Sequence, residues 1–322
     1  MIKKLSEQID KEIRSLAYPD DLPNLFDPIS YTLNLGGKRI RPLLTLLGAR
    51  LFKPNAELAM SQAIGIEMFH NFTLVHDDIM DEAPVRRGAE SVFKKWNSNT
   101  AILSGDVMFA LAVQHISDCN KETLPQVLSC FLESTIKVCE GQQMDMDFEN
   151  RERVELSEYV RMIELKTAWL LAGSLKIGAI VAGADERSST KLFDFMMKAG
   201  TAFQLMDDYL DVYGDPSKFG KQVGGDIRSG KKTFLFLRSL ERCGDKDRNR
   251  LIELYRVENN RGEEAVKEVA EIFNSCGASS ELLEESESLL KSGLEILSQV
   301  KGDRQIMDEI INLTHQLIIR EK

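Results

Sequence analysis

Six aspartates stand in two copies of one pattern, Asp77, Asp78 and Asp81 in HDDIMDE and Asp207, Asp208 and Asp211 in QLMDDYLD. Both copies lie in apolar sequence that reads as helix, where carboxylates are costly unless something compensates them. Residues four apart share a helix face, so Asp77 points with Asp81 and Asp207 with Asp211. A like-charge pair at ~6 Å costs about 0.7 kcal/mol in water and roughly 3 kcal/mol at an effective dielectric near 20. Bound divalent cations remove that cost. Mg²⁺ takes oxygen ligands in octahedral geometry and is commonly shared between one or two carboxylates and substrate phosphates. Asp-rich clusters without His or Cys suit it and do not suit zinc. Neither cluster has the form of an EF-hand loop. Glu67 stands three residues before His70, but a di-iron bundle needs a second Glu-x-x-His, which the sequence lacks.

Positive charge flanks the acid. In LGGKRIRPLL, Gly36 and Gly37 allow close backbone approach, and Lys38, Arg39 and Arg41 supply donors. Arg86 and Arg87 follow the first acidic cluster, in a loop ending at Gly88. FGKQVGGDIRSGKKTF follows the second, with Lys221, Lys231 and Lys232 among Gly220, Gly224, Gly225 and Gly230. Glycines interleaved with Lys and Arg are a common way to wrap a phosphate. G-x-x-x-x-G-K-[ST] is absent, which excludes a nucleotide P-loop.

These residues need a scaffold, and the sequence reads as all-α. The eight prolines avoid the stretch between Pro125 and Pro216, and none follows Pro216. Met60, Ile64, Met68, Phe72, Val75 and Ile79 lie on one helical stripe between Pro54 and Pro84, which places the first cluster at a helix C-terminus. Carboxylates are disfavoured there by the helix dipole, again calling for cations. Neither strand alternation nor a convincing hairpin is read. One domain is expected over residues 1–322, with the motifs within about 20–240 and amphipathic outer helices over about 241–322.

The 322 residues carry a net charge of −10, which argues against a nucleic-acid surface. An anionic ligand must therefore be drawn by local Lys, Arg and metal. The five cysteines show no C-x-x-C spacing, in keeping with reduced thiols in a cytoplasmic protein. The opening MIKKLSEQIDKEIRSL lacks a long apolar run, so no signal peptide is expected. The stretch from Thr167 to Ala184 is the most membrane-like, but Lys176 interrupts it, and a buried core helix is expected rather than a span.

Taken jointly, GGKRIRP, LVHDDIMDEAPVRRG, LSGDVMFALA, EGQQMDMDFE, the Lys166-Thr167 pair and FQLMDDYLDVYGDPSKFGKQVGGDIRSGKKTF resemble the trans-isoprenyl diphosphate synthases of the polyprenyl synthetase family. The resemblance implies a helical bundle of the isoprenoid synthase type around a central apolar cavity, and a homodimer. It implies that the six aspartates hold three Mg²⁺ ions on the diphosphate of an allylic substrate. Asp77, Asp81 and Asp207 would act directly, and Asp78, Asp208 and Asp211 nearby. Arg86, Lys166, Lys221 and Lys231 would be further donors to that diphosphate. Lys38, Arg41, His70 and Arg87 would form a metal-free pocket for isopentenyl diphosphate. Thr167 and Gln204 would face the carbocation formed when the allylic C–O bond ionises.

Phe72 lies five residues before Asp77, about 7.5 Å along a helix axis. In the resembling family a bulky residue there is a floor that keeps products short. With Thr73 beside it and no insertion in the first motif, a twenty-carbon product is expected, with fifteen carbons second. A class I terpene cyclase shares fold and ionisation step, but the second complete DDYLD and the GGKRIRP segment speak against it. A non-catalytic subunit regulating a prenyltransferase would be expected to have lost some of the aspartates.

Overall fold

The computed structural model describes residues 1–215, 223–256 and 262–318. The helices are α1 (Ile2–Ser15), α2 (Pro23–Asn34), α3 (Ile40–Arg50), α4 (Met60–Met80), α5 (Val92–Lys95), α6 (Ser98–Ser117), α7 (Leu124–Asn150) and α8 (Leu156–Ile163). A π-helical turn, Glu164–Ala168, leads into α9 (Trp169–Val181), followed by α10 (Glu186–Tyr213) and α11 (Gly225–Ser229). The last five are α12 (Phe234–Arg242), α13 (Asp245–Arg256), α14 (Glu263–Ser275), α15 (Ala278–Leu297) and α16 (Arg304–Ile318). The all-α expectation holds. The chain divides into two compact units, one of residues 1–133, 173–190 and 301–310, the other of residues 134–172, 191–300 and 311–322.

In the first unit α4 is buried on nearly every side from Gln62 to Phe69, not along one stripe. It lies against α6 closely enough that a Cβ on Gly65 would come within 2.9 Å of the Ala112 carbonyl oxygen. Gln62 is fully buried and donates to the carbonyls of His115, Ile116 and Asp118, capping the C-terminus of α6. The membrane-like stretch forms the π turn and α9. In its first-unit part, Leu175, Ile177 and Ala179 are completely buried. There α9 meets α3 backbone to backbone. A Cβ on Gly178 would lie 1.8 Å from the Thr45 carbonyl oxygen, and one on Gly48 would lie 2.2 Å from that of Leu175. Among the described residues the helix long and apolar enough to cross a membrane is instead α6, with a third of its apolar window buried.

No hairpin is expected from the residue pattern, yet Val85–Arg86 (β1) pairs antiparallel with Ala89–Glu90 (β2). Its turn residues, Arg87 and Gly88, have φ of 54° and 77°. Positive φ at both centres is the geometry that suits a two-residue hairpin, and an arginine in that position is hard to anticipate.

The second unit has its own apolar core. Phe148, Tyr159, Leu205, Phe234 and Leu235 pack there with Leu251, Val269, Phe273 and Leu282 from the later helices. The segment after residue 240 thus completes a core, as its amphipathic pattern implies.

The α3–α9 contact tolerates no side chain. Gly178→Ala is expected to cost about 2 kcal/mol in urea denaturation. Gly244→Ala, where no heavy atom lies within 4 Å of the added Cβ, should stay within about 0.5 kcal/mol.

Candidate active site

In the first unit α4 delivers Asp77 and Asp78, and Asp81 is its C-terminal cap residue. Asp77 is half-buried and Asp81 exposed, whereas Asp78 is 2% exposed. A step of about 100° per residue turns Asp78 into the protein while its neighbours face outward. There it accepts from Arg86 Nε at 2.9 Å and Nη2 at 2.5 Å. Burial raises the Asp78 carboxyl above the usual range, and the Arg86 hydrogen bond and charge pull it back. Two of the three Arg86 nitrogens are thus committed to Asp78.

The basic loop is held from below. Arg39 has a φ of 49° and is 4% exposed. It pairs with Glu67 at 2.6 Å and Asp10 at 3.1 Å, and donates to the Leu33 carbonyl at 2.6 Å. The expectation that Arg39 is a ligand donor is therefore corrected: its charge is spent inside the protein. Asn71, missed in the sequence, donates to Glu67 Oε1 at 3.1 Å and accepts from Arg87 at 3.4 Å. Arg87 also donates to the Gly36 carbonyl. A Cβ on Gly37 would sit 3.0 Å from the Arg87 guanidinium carbon, which is why a glycine stands there. The hairpin and the glycine loop are thereby tied together, with Lys38 exposed beside them.

His70 Nε2 lies 3.1 Å from Arg41 Nη1. A guanidinium only donates, so Nε2 accepts and the ring is neutral. Burial, then the charges of Arg41, Arg87, Arg86 and Arg39, hold the His70 pKa well below the usual value. Burial also lowers Arg41 to about 10. Lys38, Arg41, His70 and Arg87 belong to the same unit, as does the Arg39–Glu67–Asn71 network under them.

In the second unit α10 repeats the pattern. Asp207 and Asp211 are half-buried and Asp208 is 4% exposed. Tyr159 of α8 donates to Asp208 Oδ2, and Gln204 Nε2 donates to Oδ1 at 3.4 Å. Gln204 Oε1 accepts from the Thr167 hydroxyl at 3.1 Å. Burial raises the Asp208 carboxyl well above the usual range, with Asp226 adding to the shift and the two donated hydrogen bonds opposing it. Burial likewise raises the Tyr159 phenol well above its usual value, so it keeps its proton and donates. Asp211 Oδ2 accepts the Asp226 N–H at 2.9 Å.

Lys166 and Thr167 sit in the π turn, a helical irregularity frequent at functional sites. A Cβ on Gly141 of α7 would be 2.3 Å from the Lys166 backbone nitrogen. That closeness lets Asp145, one turn further along α7, reach Lys166 Nζ at 2.5 Å. Neither Asp145 nor Gln142 was singled out from EGQQMDMDFE. Both polar atoms of the Gln142 amide are buried with no hydrogen-bond partner among the described residues, a cost that a polar ligand would relieve. Lys231 is exposed. Lys232 donates instead to the Phe148 carbonyl at 2.7 Å, so it caps α7 and is not a phosphate donor. Lys221 and Gly220 lie outside the described residues.

Phe72 packs on Phe69, Phe109 and the ring of His76, with centroids 5.7, 5.7 and 4.6 Å away. Thr73 bonds back to the His70 carbonyl. Met68 and Ser61, four and eleven residues before Phe72, share its helix face. Both line a cavity of about 700 Å³ with Leu16, Tyr18, Phe26 and Leu111.

A model of the polyprenyl synthetase family matches residues 23–273. The chain belongs to the polyprenyl synthetase family. It is an enzyme of that kind, a chain-elongating trans-prenyltransferase. It is 39% identical to a short chain isoprenyl diphosphate synthase of Methanothermobacter thermautotrophicus, over 86% of this chain and 85% of that one. It is 34% identical to a geranylgeranyl diphosphate synthase of Sulfolobus acidocaldarius, over 94% and 92% of the two chains. A crystal structure of a geranylgeranyl pyrophosphate synthase superposes with a TM-score of 0.94 at 41% identity, covering 100% of this chain and 99% of that one.

The neutral His70 has a pH signature. An unfolded His titrates near ~6.5. Below that pH the unfolded chain binds a proton that the folded chain refuses until its lower pKa, so stability falls as pH falls through this window. Wild type should lose more stability between pH 8 and pH 5.5 than His70→Gln does, compared by urea midpoints.

Proposed function

We propose that this synthase makes a twenty-carbon all-trans prenyl diphosphate from isopentenyl diphosphate and allylic starters, using Mg²⁺ held by Asp77, Asp81, Asp207 and Asp211. The observation that carries the metal reading is common to both motifs. Each leaves an i, i+4 carboxylate pair at least partly open to solvent, while its middle aspartate is satisfied inside the protein. No group of three or more His, Cys, Asp or Glu side chains is poised to hold a metal among the described residues. One or two carboxylate oxygens, with water and phosphate oxygens filling the shell, is how Mg²⁺ is usually bound. Of the three aspartates expected near the ions, Asp78 and Asp208 serve as anchors on this reading and Asp211 joins the ligands. Three ions remain the expected complement when diphosphate is present. Bound there, Mg²⁺ supplies charge neutralisation to the leaving diphosphate.

The protein's own groups account for the rest. Lys166, Arg86, Lys221 and Lys231 add positive charge at the allylic diphosphate as its C–O bond breaks and the electron pair leaves with oxygen. Lys38, Arg41 and Arg87 hold the second diphosphate, and the neutral His70 offers an N–H without adding charge. The alkene of isopentenyl diphosphate then forms the new C–C bond to the allylic carbon. The proton lost from the adjacent carbon passes to the departed diphosphate, so no side-chain base is needed. Positioning two anchored substrates replaces a bimolecular encounter.

The growing tail runs beside α4 until Phe72 stops it, and the cavity at Met68 and Ser61 is where a longer tail would go. Named geranylgeranyl diphosphate synthases among the relatives support twenty carbons. A second copy of this chain covers α6, whose exposed Ile102 and Leu103, 42% and 58% accessible, are large apolar groups for open solvent. A cytoplasmic location fits five cysteines that form no disulfide.

With Mg²⁺, labelled isopentenyl diphosphate and starters of increasing length, chromatography should show geranylgeranyl diphosphate as the main product. Asp81→Asn should lower kcat/KM about 100-fold or more. Phe72→Ala should shift product beyond twenty carbons; an unchanged length would remove Phe72 from chain-length control. Leu103→Glu should move the protein from dimer to monomer in size-exclusion light scattering.

A further inference from the structure

Tyr159 lies outside every acidic or basic motif, yet its hydroxyl ends on the middle aspartate of the second one. The contact begins a chain of side chains. Tyr159 donates to Asp208, which accepts from the Gln204 amide nitrogen, and the Gln204 carbonyl oxygen accepts from Thr167. Every link lies within the second unit.

The direction of this chain has chemical content. An amide has one acceptor end and one donor end, so whichever faces Asp208 fixes what the other end offers. Asp208 takes a hydrogen on each oxygen, so the Gln204 nitrogen is drawn to it and the carbonyl is turned to Thr167. The Thr167 proton is then used in that bond, and the threonine oxygen keeps its lone pairs for whatever else approaches. A buried carboxylate bonded on one side only would be free to rotate and release the amide. Tyr159, 4% exposed and packed in the core, prevents that rotation.

We propose that Tyr159 is a positioning residue: by clamping Asp208 it sets the polarity of the Gln204 amide, so that Gln204 and Thr167 present oxygen lone pairs rather than N–H groups to the developing allylic cation. This rests on the reading of Thr167 and Gln204 as the cation-facing pair. An N–H dipole turned toward a growing positive charge would raise the barrier to ionisation, whereas a preoriented oxygen lowers it. The ground-state grip on diphosphate would scarcely change, since the bond that Tyr159→Phe removes ends on Asp208, which is not among the proposed metal ligands.

Tyr159→Phe deletes the hydroxyl and keeps the ring in the core. Steady-state kinetics should show kcat lowered about 10- to 100-fold with the allylic KM within about threefold of wild type. Calorimetric binding of inorganic diphosphate in the presence of Mg²⁺ should likewise stay within about threefold. A kcat within twofold of wild type overturns the proposal, as does a loss of kcat matched by an equal loss of diphosphate binding, which would make Tyr159 a prop for the metal wall. Should Tyr159→Phe not fold, Asp208→Asn serves, because its amide donates to the Gln204 carbonyl and inverts the chain. Its loss in kcat must then exceed its loss in diphosphate binding by tenfold or more, and a smaller excess overturns the proposal. Wild-type protein that neither binds diphosphate with Mg²⁺ nor condenses substrates would instead overturn the underlying reading of the site.

Discussion

A helix cannot point three carboxylates of an Asp-Asp-x-x-Asp motif the same way. The 100° step forces the middle one off the face shared by the outer two, and in this protein that middle carboxylate is buried both times. Each burial is compensated differently. Asp78 takes a guanidinium from the hairpin that follows α4, and Asp208 takes a phenol from α8 and an amide from one turn back on its own helix. Both solutions satisfy the buried carboxylate inside the protein, and the helix pitch leaves the outer two together on a different face. The middle aspartates are thus anchors and not ligands of the metal.

The same division of labour governs the basic side of the first unit. Of the arginines at positions 39, 41 and 87, one is consumed in the interior to hold the others. Arg39 with Glu67 and Asp10 forms a base, Asn71 relays it, and Arg87 ties the hairpin to the glycine loop. Removing one partner of such a buried pair leaves an uncompensated charge, which is more damaging than removing both. His70 remains neutral among these cations, so it accepts from Arg41 without adding to their mutual repulsion.

Much of this was legible in the residues. The all-α class followed from three- and four-residue apolar spacing and the proline distribution. The shared face of the first and last aspartates of each motif and the C-terminal position of the first cluster on α4 followed from helical geometry, and the buried character of the segment forming α9 from the lysine that interrupts it. The roles of Arg39 and Lys232 did not, because a cation facing a phosphate and one capping a helix or pairing with Glu67 look alike in a sequence. Asp145 and Tyr159 escaped notice for a related reason. Their partners are 21 and 49 residues away, and only packing brings them together.

Residue type and helical periodicity alone determined that paired carboxylates would share a face and that oxygen-loving cations would suit them, because a helix is a local structure with a fixed pitch. Tertiary structure decided which aspartates look outward, which cations are spent within the fold, and where Phe72 stands against a cavity. Those outcomes depend on contacts between segments distant in the chain, and on which buried polar groups find partners when the helices pack.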